Sequence, residues 1–325
     1  MRGRSELLAG GVALVVVPLF LSDFSDYLLA WALVSAIGFL GLVVVTGLGG
    51  QISLCQASFI GFGAFFTGLL LRHDWSFWLA WPTSALLAAP IGIVVGLPAM
   101  RLRGVHLGVA TLGFAVFFNE VVFRWSWLTG GSEAGVNFER PSLFGFDLDS
   151  NTRYYGLVLV VFAVAAALTV WLQRSVLGRS LRAMRDAERG AMATGLSIER
   201  AKLLAFSLSA VYGAVAGGLL GPLLGTVVRR SFDPIASVVM LALAGVAGLA
   251  SVPGAVIAGL FLNYLPGEIG TVAGIENVDL IIPAVMLIVL MQFAPDGLAA
   301  LPGHLSRLGR SAGWPRRARA EEAVP

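Results

Sequence analysis

Residues 174–202 read RSVLGRSLRAMRDAERGAMATGLSIERAK, and this polar segment decides how the chain is organised. It holds seven of the 22 basic residues of the chain against three acidic ones, and apolar runs at 155–173 and 203–228 flank it. Runs of this length can cross the hydrocarbon core of a bilayer, which takes about 20 apolar residues. A polar helical segment between two such runs is typical of a membrane protein that presents a helix to a cytoplasmic partner.

The composition agrees with a membrane protein. The 325 residues are 57% hydrophobic and only 13% charged, whereas a soluble domain carries about 25% charged residues. The long, non-alternating apolar stretches favour helices over a β-barrel, and the 40 glycines suit close helix packing in lipid. We therefore predict an all-α polytopic transmembrane bundle of about eight to ten spans, with short or broken helices at 57–71, 236–250 and 253–266. The other apolar segments lie at 7–22, 27–46, 77–98, 105–123, 155–173, 203–228 and 279–295.

The placement of lysine and arginine predicts the orientation. With the N-terminus inside, 16 basic residues fall on the inner side and six on the outer side, which the positive-inside rule reads as N-in and C-in. The transmembrane domain would cover 1–302, with a cytoplasmic loop at 174–202 and an extracytoplasmic loop at 124–154. An Arg-rich, disordered cytoplasmic tail would follow at 303–325. The N-terminal segment resembles a signal peptide, but no clean cleavage site follows it, which favours an uncleaved first span.

The glycine-rich stretch 47–56, GLGGQISLCQ, predicts an unwound or re-entrant element near a transport pathway. An ordinary short loop is the alternative. Glu120 lies inside the predicted span 105–123, and a carboxylate there is costly unless it is paired or hydrated. Arg124, four residues on, predicts an ion pair; contact with a substrate ammonium group or a proton relay are the alternatives. Our predicted substrate-pathway residues are Gln51, Ser53, Gln56, Thr111 and Glu120.

Glycines recur every four residues along one face of the 203–228 span. Such a bare face lets a neighbouring helix approach closely, so we predict packing inside the subunit. A sliding surface in a transport cycle is the alternative. The predicted helix-packing glycines are Gly213, Gly217, Gly221 and Gly225.

The 174–202 segment combines an apolar stripe with a basic face on a predicted helix at 180–195. We predict that this helix docks into a cleft of a cytoplasmic ATPase by its apolar stripe, with Asp186 pairing with Arg182 at i+4. A basic helix lying on the lipid surface is the alternative. The predicted coupling residues are Leu181, Arg182, Met184, Arg185, Ala187, Arg189 and Ala191, and Met192 extends the stripe.

Several kinds of chemistry have no support in the sequence. No G-x-x-x-x-G-K-[ST] phosphate-binding loop is present, so ATP would have to be bound by separate subunits. One cysteine, Cys55, and three widely separated histidines argue against a metal site. No nucleophile or His/Asp constellation supports a membrane enzyme. We therefore predict a protein that is not an enzyme and holds neither a metal nor a cofactor of its own.

Five blocks, in order along most of the chain, resemble the permease subunits of branched-chain amino acid ABC importers, and most closely the longer of the two permeases. The blocks are GLGGQISLCQASFIGFGAF at 47–65; LRGVHLGVATLGFAVFFNEVVF at 102–123 with LTGG at 128–131; GRSLRAMRDAERGAMATGLSIERAKLLAFSLSAVYGAVAGGLLG at 178–221; SFDPIASVVMLALAGVAGLASVPGAVIAG at 231–259; and APDGL at 294–298.

The resemblance implies one permease of an importer in a prokaryotic cell membrane, working with a second permease, two cytoplasmic ATPase subunits and an extracytoplasmic solute-binding protein. Some positions depart from the family pattern: Cys55, Ala244 and Ala247 stand where glycine is common, and His106 where an aromatic residue is usual. Relatives in the wider group import urea, short amides or aromatic acids, so these substrates stay open beside branched-chain amino acids. A secondary transporter driven by an ion gradient is the alternative from another class, and Glu120 is its best support.

Overall fold

The computed structural model describes residues 22–102, 104–129, 135–143, 146–193 and 197–273. Apart from Ser22, the predicted segment 7–22 falls outside these ranges, as do the segment 279–295 and the tail 303–325. Within the described ranges the chain is a bundle of packed helices, which agrees with the predicted all-α fold.

Apart from the longer connection at 130–150, the helices follow one another with short connections, and several are extended by a turn of another helical type. Val43–Leu48 continues α1 as a π-helix, Leu260–Tyr264 joins α11 to α12 as a π-helix, and 3-10 turns cover Leu97–Met100, Val122–Arg124 and Arg229–Phe232. The α-helices are α1 (Asp23–Leu42), α2 (Gln56–Arg72), α3 (Phe77–Gly96), α4 (Val105–Glu120), α5 (Ser126–Thr129), α6 (Asn151–Arg174), α7 (Val176–Asp186), α8 (Glu188–Ala193), α9 (Ile198–Leu224), α10 (Pro234–Gly248), α11 (Val252–Gly259) and α12 (Leu265–Ala273).

Local sequence accounts for where the helices begin and end. Ser22 caps α1 by accepting a hydrogen bond from the Ser25 backbone N–H, and Asp23 and Asp26 stand in its first turn, where the helix dipole favours negative charge. At the same end of the bundle, α9 stops at Gly225, whose φ of +72° is easy only for glycine.

Among the residues that the structure describes, six helices are long and apolar enough to cross a membrane, so the chain is a multi-pass membrane protein. Two shorter helices also run along the bundle: α2, with 17 residues, and α10, with 15. Both fall on segments that the sequence predicts to be short or broken. The six spans are Asp23–Leu48, Phe77–Met100, Val105–Arg124, Asn151–Arg174, Ile198–Leu224 and Val252–Gly270.

Helices α1, α2 and α3 pack around α9, and the core of the bundle lies between these four helices. α1 is apolar on all sides and is almost wholly enclosed, as expected for a helix at the centre of a bundle. In contrast α4 and α6 are enclosed on one side only, and their outward faces carry valine, leucine, phenylalanine and tryptophan. Those faces suit lipid or a partner helix.

The bundle has two ends, which we name by what they carry. The loop end carries residues 174–202, and there the Gln173 side chain donates to the Ala250 carbonyl at 3.2 Å. The hairpin end carries two short antiparallel strand pairs, β1 (Val136–Asn137) with β4 (Thr226–Val227) and β2 (Ser142–Leu143) with β3 (Phe146–Asp147). Ser25 donates to Glu268 at 2.6 Å at this end, which joins α1 to α12.

Candidate functional site

The glycine-rich stretch is an interrupted crossing. α1 ends through its π-helix at Gly49 and Gly50, where Gly50 has a φ of +64°, and residues 51–55 are not helical. α2 then begins at Gln56 inside the bundle. Gln56 lies beside Ser209, which is 11 residues past the start of α9, or roughly 16 Å from the loop end at 1.5 Å per residue. The unwound segment therefore enters the bundle from the loop end.

A second interrupted crossing enters from the hairpin end. After Gly225 the chain passes through β4 and the 3-10 turn Arg229–Phe232 before α10 begins at Pro234. Phe232 packs within 2.8 Å of the position that a Cβ on Gly61 would take, so this segment also reaches the interior. The first turns of α2 and α10 meet where the Ala57 backbone N–H donates to Ser237 Oγ at 3.0 Å.

Two of the predicted pathway residues hold this region together by hydrogen bonds. Gln56 is fully buried; its Nε2 donates to the Gly38 carbonyl at 2.9 Å, and its Oε1 accepts from Ser209 Oγ at 2.8 Å. Thr111 Oγ1 accepts from the Leu54 backbone N–H at 2.9 Å, which ties the unwound segment to α4. Ser53 is also buried, with its Oγ 3.4 Å from the sulfur of Cys55.

Gln51 differs from these residues because its amide has no hydrogen-bond partner among the residues that the structure describes. The side chain is 5% exposed, and no group in the described part of the chain lies within hydrogen-bond distance of its oxygen or its nitrogen. Leaving a buried polar group unpaired costs about 1–3 kcal/mol. At an unwound segment, such an amide can bind a ligand or form a hydrogen bond in another conformation of the protein.

Glu120 lies at the end of α4 in an ion-pair cluster. Its Oε2 is 2.6 Å from Arg124 Nη2, as the i, i+4 spacing predicts, and its Oε1 is 2.8 Å from Arg229 Nη1. Arg229 also donates to Asn119 Oδ1 at 2.6 Å, and Asn119 Nδ2 donates to the Phe232 carbonyl at 2.9 Å. The cluster fastens α4 to the segment that leads into α10. Since both carboxylate oxygens face guanidinium groups, the geometry favours the ion pair over a proton relay.

The predicted helix at 180–195 is broken in the structure. α7 ends at Asp186, Ala187 has φ −154° and ψ 83°, and α8 starts at Glu188. Asp186 pairs with Arg185, its neighbour, at 3.4 Å and not with Arg182. Arg182 is exposed and donates instead to the Gln173 carbonyl at 2.7 Å.

The apolar stripe of this loop also differs from the prediction. Leu181, Met184 and Ala191 are buried in the chain itself, so they are not available to dock into an ATPase cleft. The physical reason is that α7 is amphipathic and the bundle offers its apolar face a cover at the loop end. Ala187 and Met192 stay exposed, and the side chain of Arg189 lies outside the described residues. A partner would meet the polar side of α7.

Lys202 anchors the loop from its far end. Its ammonium group is buried, 3.0 Å from Glu188 Oε1 and 3.2 Å from the Ala99 carbonyl. The pair joins α8 to α9 and to the 3-10 turn after α3. The sequence gives no direct signal for this pair, because the two residues come together only where the break at Ala187 turns α8 back.

Removing the carboxylate of this pair should loosen the loop. Glu188→Ala leaves the Lys202 ammonium group buried with one neutral acceptor. Breaking a buried pair costs about 3–5 kcal/mol, and we expect the lower part of that range because the Glu188 side chain keeps 22% of its exposure. The melting temperature of the purified permease should fall, and protease cleavage within 174–202 should speed up.

Two variants control this experiment. Glu188→Gln keeps an oxygen acceptor for Lys202 and should lie between Glu188→Ala and the parent protein. Glu199→Ala removes an exposed carboxylate from the first turn of α9 and should change stability little. Equal melting temperatures for Glu188→Ala and Glu199→Ala would show that the pair does not hold the loop.

The glycine ladder of α9 has three close contacts and one open position. A Cβ on Gly213 would lie 2.6 Å from Phe59 Cβ, one on Gly217 would lie 1.8 Å from the Ile60 carbonyl oxygen, and one on Gly221 would lie 2.6 Å from Phe138. Gly213 and Gly217 therefore bring the backbones of α9 and α2 together. Gly225 departs from the predicted ladder: no atom of the described residues lies within 4 Å of the position that a Cβ would take, and its positive φ ends the helix.

Comparison with known proteins agrees with this architecture. A family profile described as "Branched-chain amino acid transport system / permease component" matches residues 24–291. The high-affinity branched-chain amino acid transport system permease protein LivM of Escherichia coli (strain K12) is 30% identical over 284 residues, which cover 80% of this chain and 66% of LivM. The chain thus spans slightly less than two thirds of that relative. No solved structure gives a significant match.

More distant relatives share a smaller part of the chain. The permease protein LivH of Salmonella typhimurium, from the same kind of transport system, is 26% identical over 208 residues, which cover 60% of this chain and 63% of LivH. The autoinducer 2 import system permease protein LsrC of Escherichia coli O9:H4 is 26% identical over 224 residues, which cover 66% of this chain and 63% of LsrC. Because the profile extends from the start of α1 to beyond α12, the chain belongs to the family of branched-chain amino acid transport system permease components.

Proposed function

We propose that the chain is a permease subunit of an ATP-driven importer for branched-chain or related hydrophobic amino acids. The observation that carries the proposal is the 30% identity to LivM over 80% of this chain. It is supported by the six spans and by the interrupted crossings, since substrate sites of transporters are commonly built where helices are discontinuous.

The proposed assembly contains four further subunits. A second permease would complete the transmembrane unit, and the matches to both LivM and LivH are in keeping with a pair. Two cytoplasmic ATPase subunits would bind ATP, and an extracytoplasmic solute-binding protein would deliver the substrate. The chain itself would hold no cofactor and would lie in the cytoplasmic membrane of a prokaryote, N-in and C-in, with the loop end inside.

Transport would follow alternating access. ATP binding closes the ATPase dimer, and the 174–202 loop, through the polar side of α7, passes that movement to the bundle. Gln51 is the pathway residue that the geometry supports best, because no described residue is hydrogen-bonded to its buried amide, which could therefore receive a substrate group. Gln56 and Thr111 hold the unwound segment in place: Gln56 donates to the Gly38 carbonyl, and Thr111 accepts from the Leu54 backbone N–H.

The cargo has alternatives within the same mechanism. The similarity to LsrC, a permease of an autoinducer 2 import system, shows that relatives at 26% identity serve other cargo. Urea, short amides and aromatic acids are therefore included in the test below. An ion-gradient-driven transporter has less support, since Arg124 and Arg229 engage both oxygens of Glu120.

Reconstituted uptake tests the proposal. Proteoliposomes with all five subunits in place should accumulate radiolabelled leucine when ATP is supplied, and excess valine or isoleucine should compete while urea, acetamide and an aromatic acid such as benzoate should not. Omitting the ATPase subunits should abolish uptake. Uptake by the chain alone under a proton or sodium gradient would favour the secondary transporter and contradict the proposal.

A further inference from the structure

Arg185 connects the 174–202 loop directly to the glycine-rich turn. Its Nη1 donates to the Gly47 carbonyl oxygen at 2.6 Å, across 138 residues of sequence. Its aliphatic stem lies against Gly50: a Cβ on Gly50 would stand 2.5 Å from Arg185 Cγ. A hydrogen bond from a charged donor is stronger than a neutral one, so the contact is both close and directional.

The same turn is held from its other side by α10. A Cβ on Gly47 would lie 2.0 Å from the Leu249 carbonyl oxygen, just past the end of that helix. The turn is thus clamped between Arg185 and the end of α10. Gln51 directly follows Gly50, and its backbone N–H donates to the Val45 carbonyl at 3.1 Å, which attaches it to the turn. Its side-chain amide has no hydrogen-bond partner in the described part of the chain.

We infer that Arg185 is a positioning residue that carries displacement of α7 to the turn 47–51 and so sets the position of Gln51. The inference rests on the proposed function, in which α7 moves with the ATPase subunits. Other contacts of the loop are less suited to this role. Leu181 and Met184 are held by apolar packing, which does not fix the direction of a movement. Arg182 donates to the Gln173 carbonyl, only nine residues earlier in the chain, and so does not reach the glycine-rich turn.

The first test uses the permease alone. Ile52→Cys, partly exposed beside Gln51, serves as a reporter in a Cys55→Ala background, which removes the natural cysteine. Arg185→Ala should raise the rate of maleimide labelling roughly tenfold, the effect of losing one hydrogen bond to a charged group. Arg185→Lys, which can still donate to Gly47, should restore most of the parent rate. Arg182→Ala, the matched arginine one turn earlier, should leave the rate unchanged.

The second test uses the complete transporter. In the parent reporter, labelling of Cys at position 52 should differ between the nucleotide-free and the vanadate-trapped state. Arg185→Ala should hydrolyse ATP but lose that difference and most uptake per ATP, and Arg185→Lys should recover both. A purely structural role would lower ATP hydrolysis and uptake together and would leave their ratio unchanged.

The outcomes separate this inference from the proposed function. If the parent complex shows no ATP-dependent uptake, the proposed function fails, and labelling of the permease alone still measures the Arg185 contact. If Arg185→Ala does not accumulate in the membrane, Arg185→Gln and Arg185→Lys are compared in its place. Equal labelling of the Arg185 and Arg182 variants, or an unchanged ratio of uptake to ATP hydrolysis, overturns the inference.

Discussion

Replacing Gly217 by leucine is expected to prevent the permease from assembling. A Cβ at this position would lie 1.8 Å from the Ile60 carbonyl oxygen and 2.8 Å from the Ala64 nitrogen, both backbone atoms of α2. Overpacking of a core costs about 1–3 kcal/mol when side chains can adjust, and backbone atoms adjust less. We expect little folded protein in the membrane and a much lower melting temperature for what can be purified.

Gly245 provides the matched control because it lies in α10 and no atom of the described part of the chain is within 4 Å of its Cβ position. Gly245→Leu should accumulate normally, and even Gly217→Ala should be more damaging than Gly245→Ala. Leu219→Ala is a poor control, since Leu219 is fully buried and its truncation leaves a cavity. If Gly217→Leu and Gly245→Leu accumulate and melt alike, the backbones of α2 and α9 are not in contact there.

Two glutamines five positions apart should respond in opposite ways to the same substitution. Gln56→Leu removes the acceptor of Ser209 Oγ and the donor to Gly38 inside the core, and each buried group left unpaired costs about 1–3 kcal/mol. The protein should lose thermal stability and yield. Gln51→Leu removes an amide that has no partner in the described part of the chain, so stability should hold or rise while leucine uptake falls roughly tenfold.

Melting curves and uptake by the reconstituted transporter, measured side by side, decide this comparison. Gln51→Asn and Gln56→Asn serve as conservative controls and should lie between the parent and the leucine variants. The assignment of Gln51 to the pathway is refuted if Gln51→Leu transports leucine at the parent rate. It is also refuted if Gln51→Leu loses as much stability as Gln56→Leu.

Much of the fold can be predicted from the sequence because lipid imposes simple constraints on length and polarity. The apolar runs, the short segments at 57–71 and 236–250, and the glycine pattern of Gly213 and Gly217 each depend on neighbours along one helix. The ion pair of Glu120 with Arg124 is likewise local. These features need only helical periodicity and the cost of exposing backbone to hydrocarbon.

Other parts of the site depend on which surfaces meet across long stretches of sequence. The contacts of Arg229 with Glu120 and of Arg185 with Gly47 span 109 and 138 residues and have no local signal. The amphipathic face of α7 could equally have been predicted to face a partner or its own bundle. Only the packed structure shows that Leu181 and Met184 are covered by the chain itself. Gln51 and Gln56 are the same residue type, and packing alone separates their roles.

The meeting of α2 with α9 and α10 has a consequence for biogenesis. The Ala57 N–H finds its acceptor in Ser237, which is synthesised 180 residues later, or roughly 10–40 s later at the usual rate of translation. Ser209, which binds the Gln56 side chain, follows 153 residues after it. The inner end of α2 therefore enters the membrane before its partners exist. The first half of the chain therefore cannot complete its fold during its own insertion, because α9 and α10 pack onto α2 only after they have been synthesised.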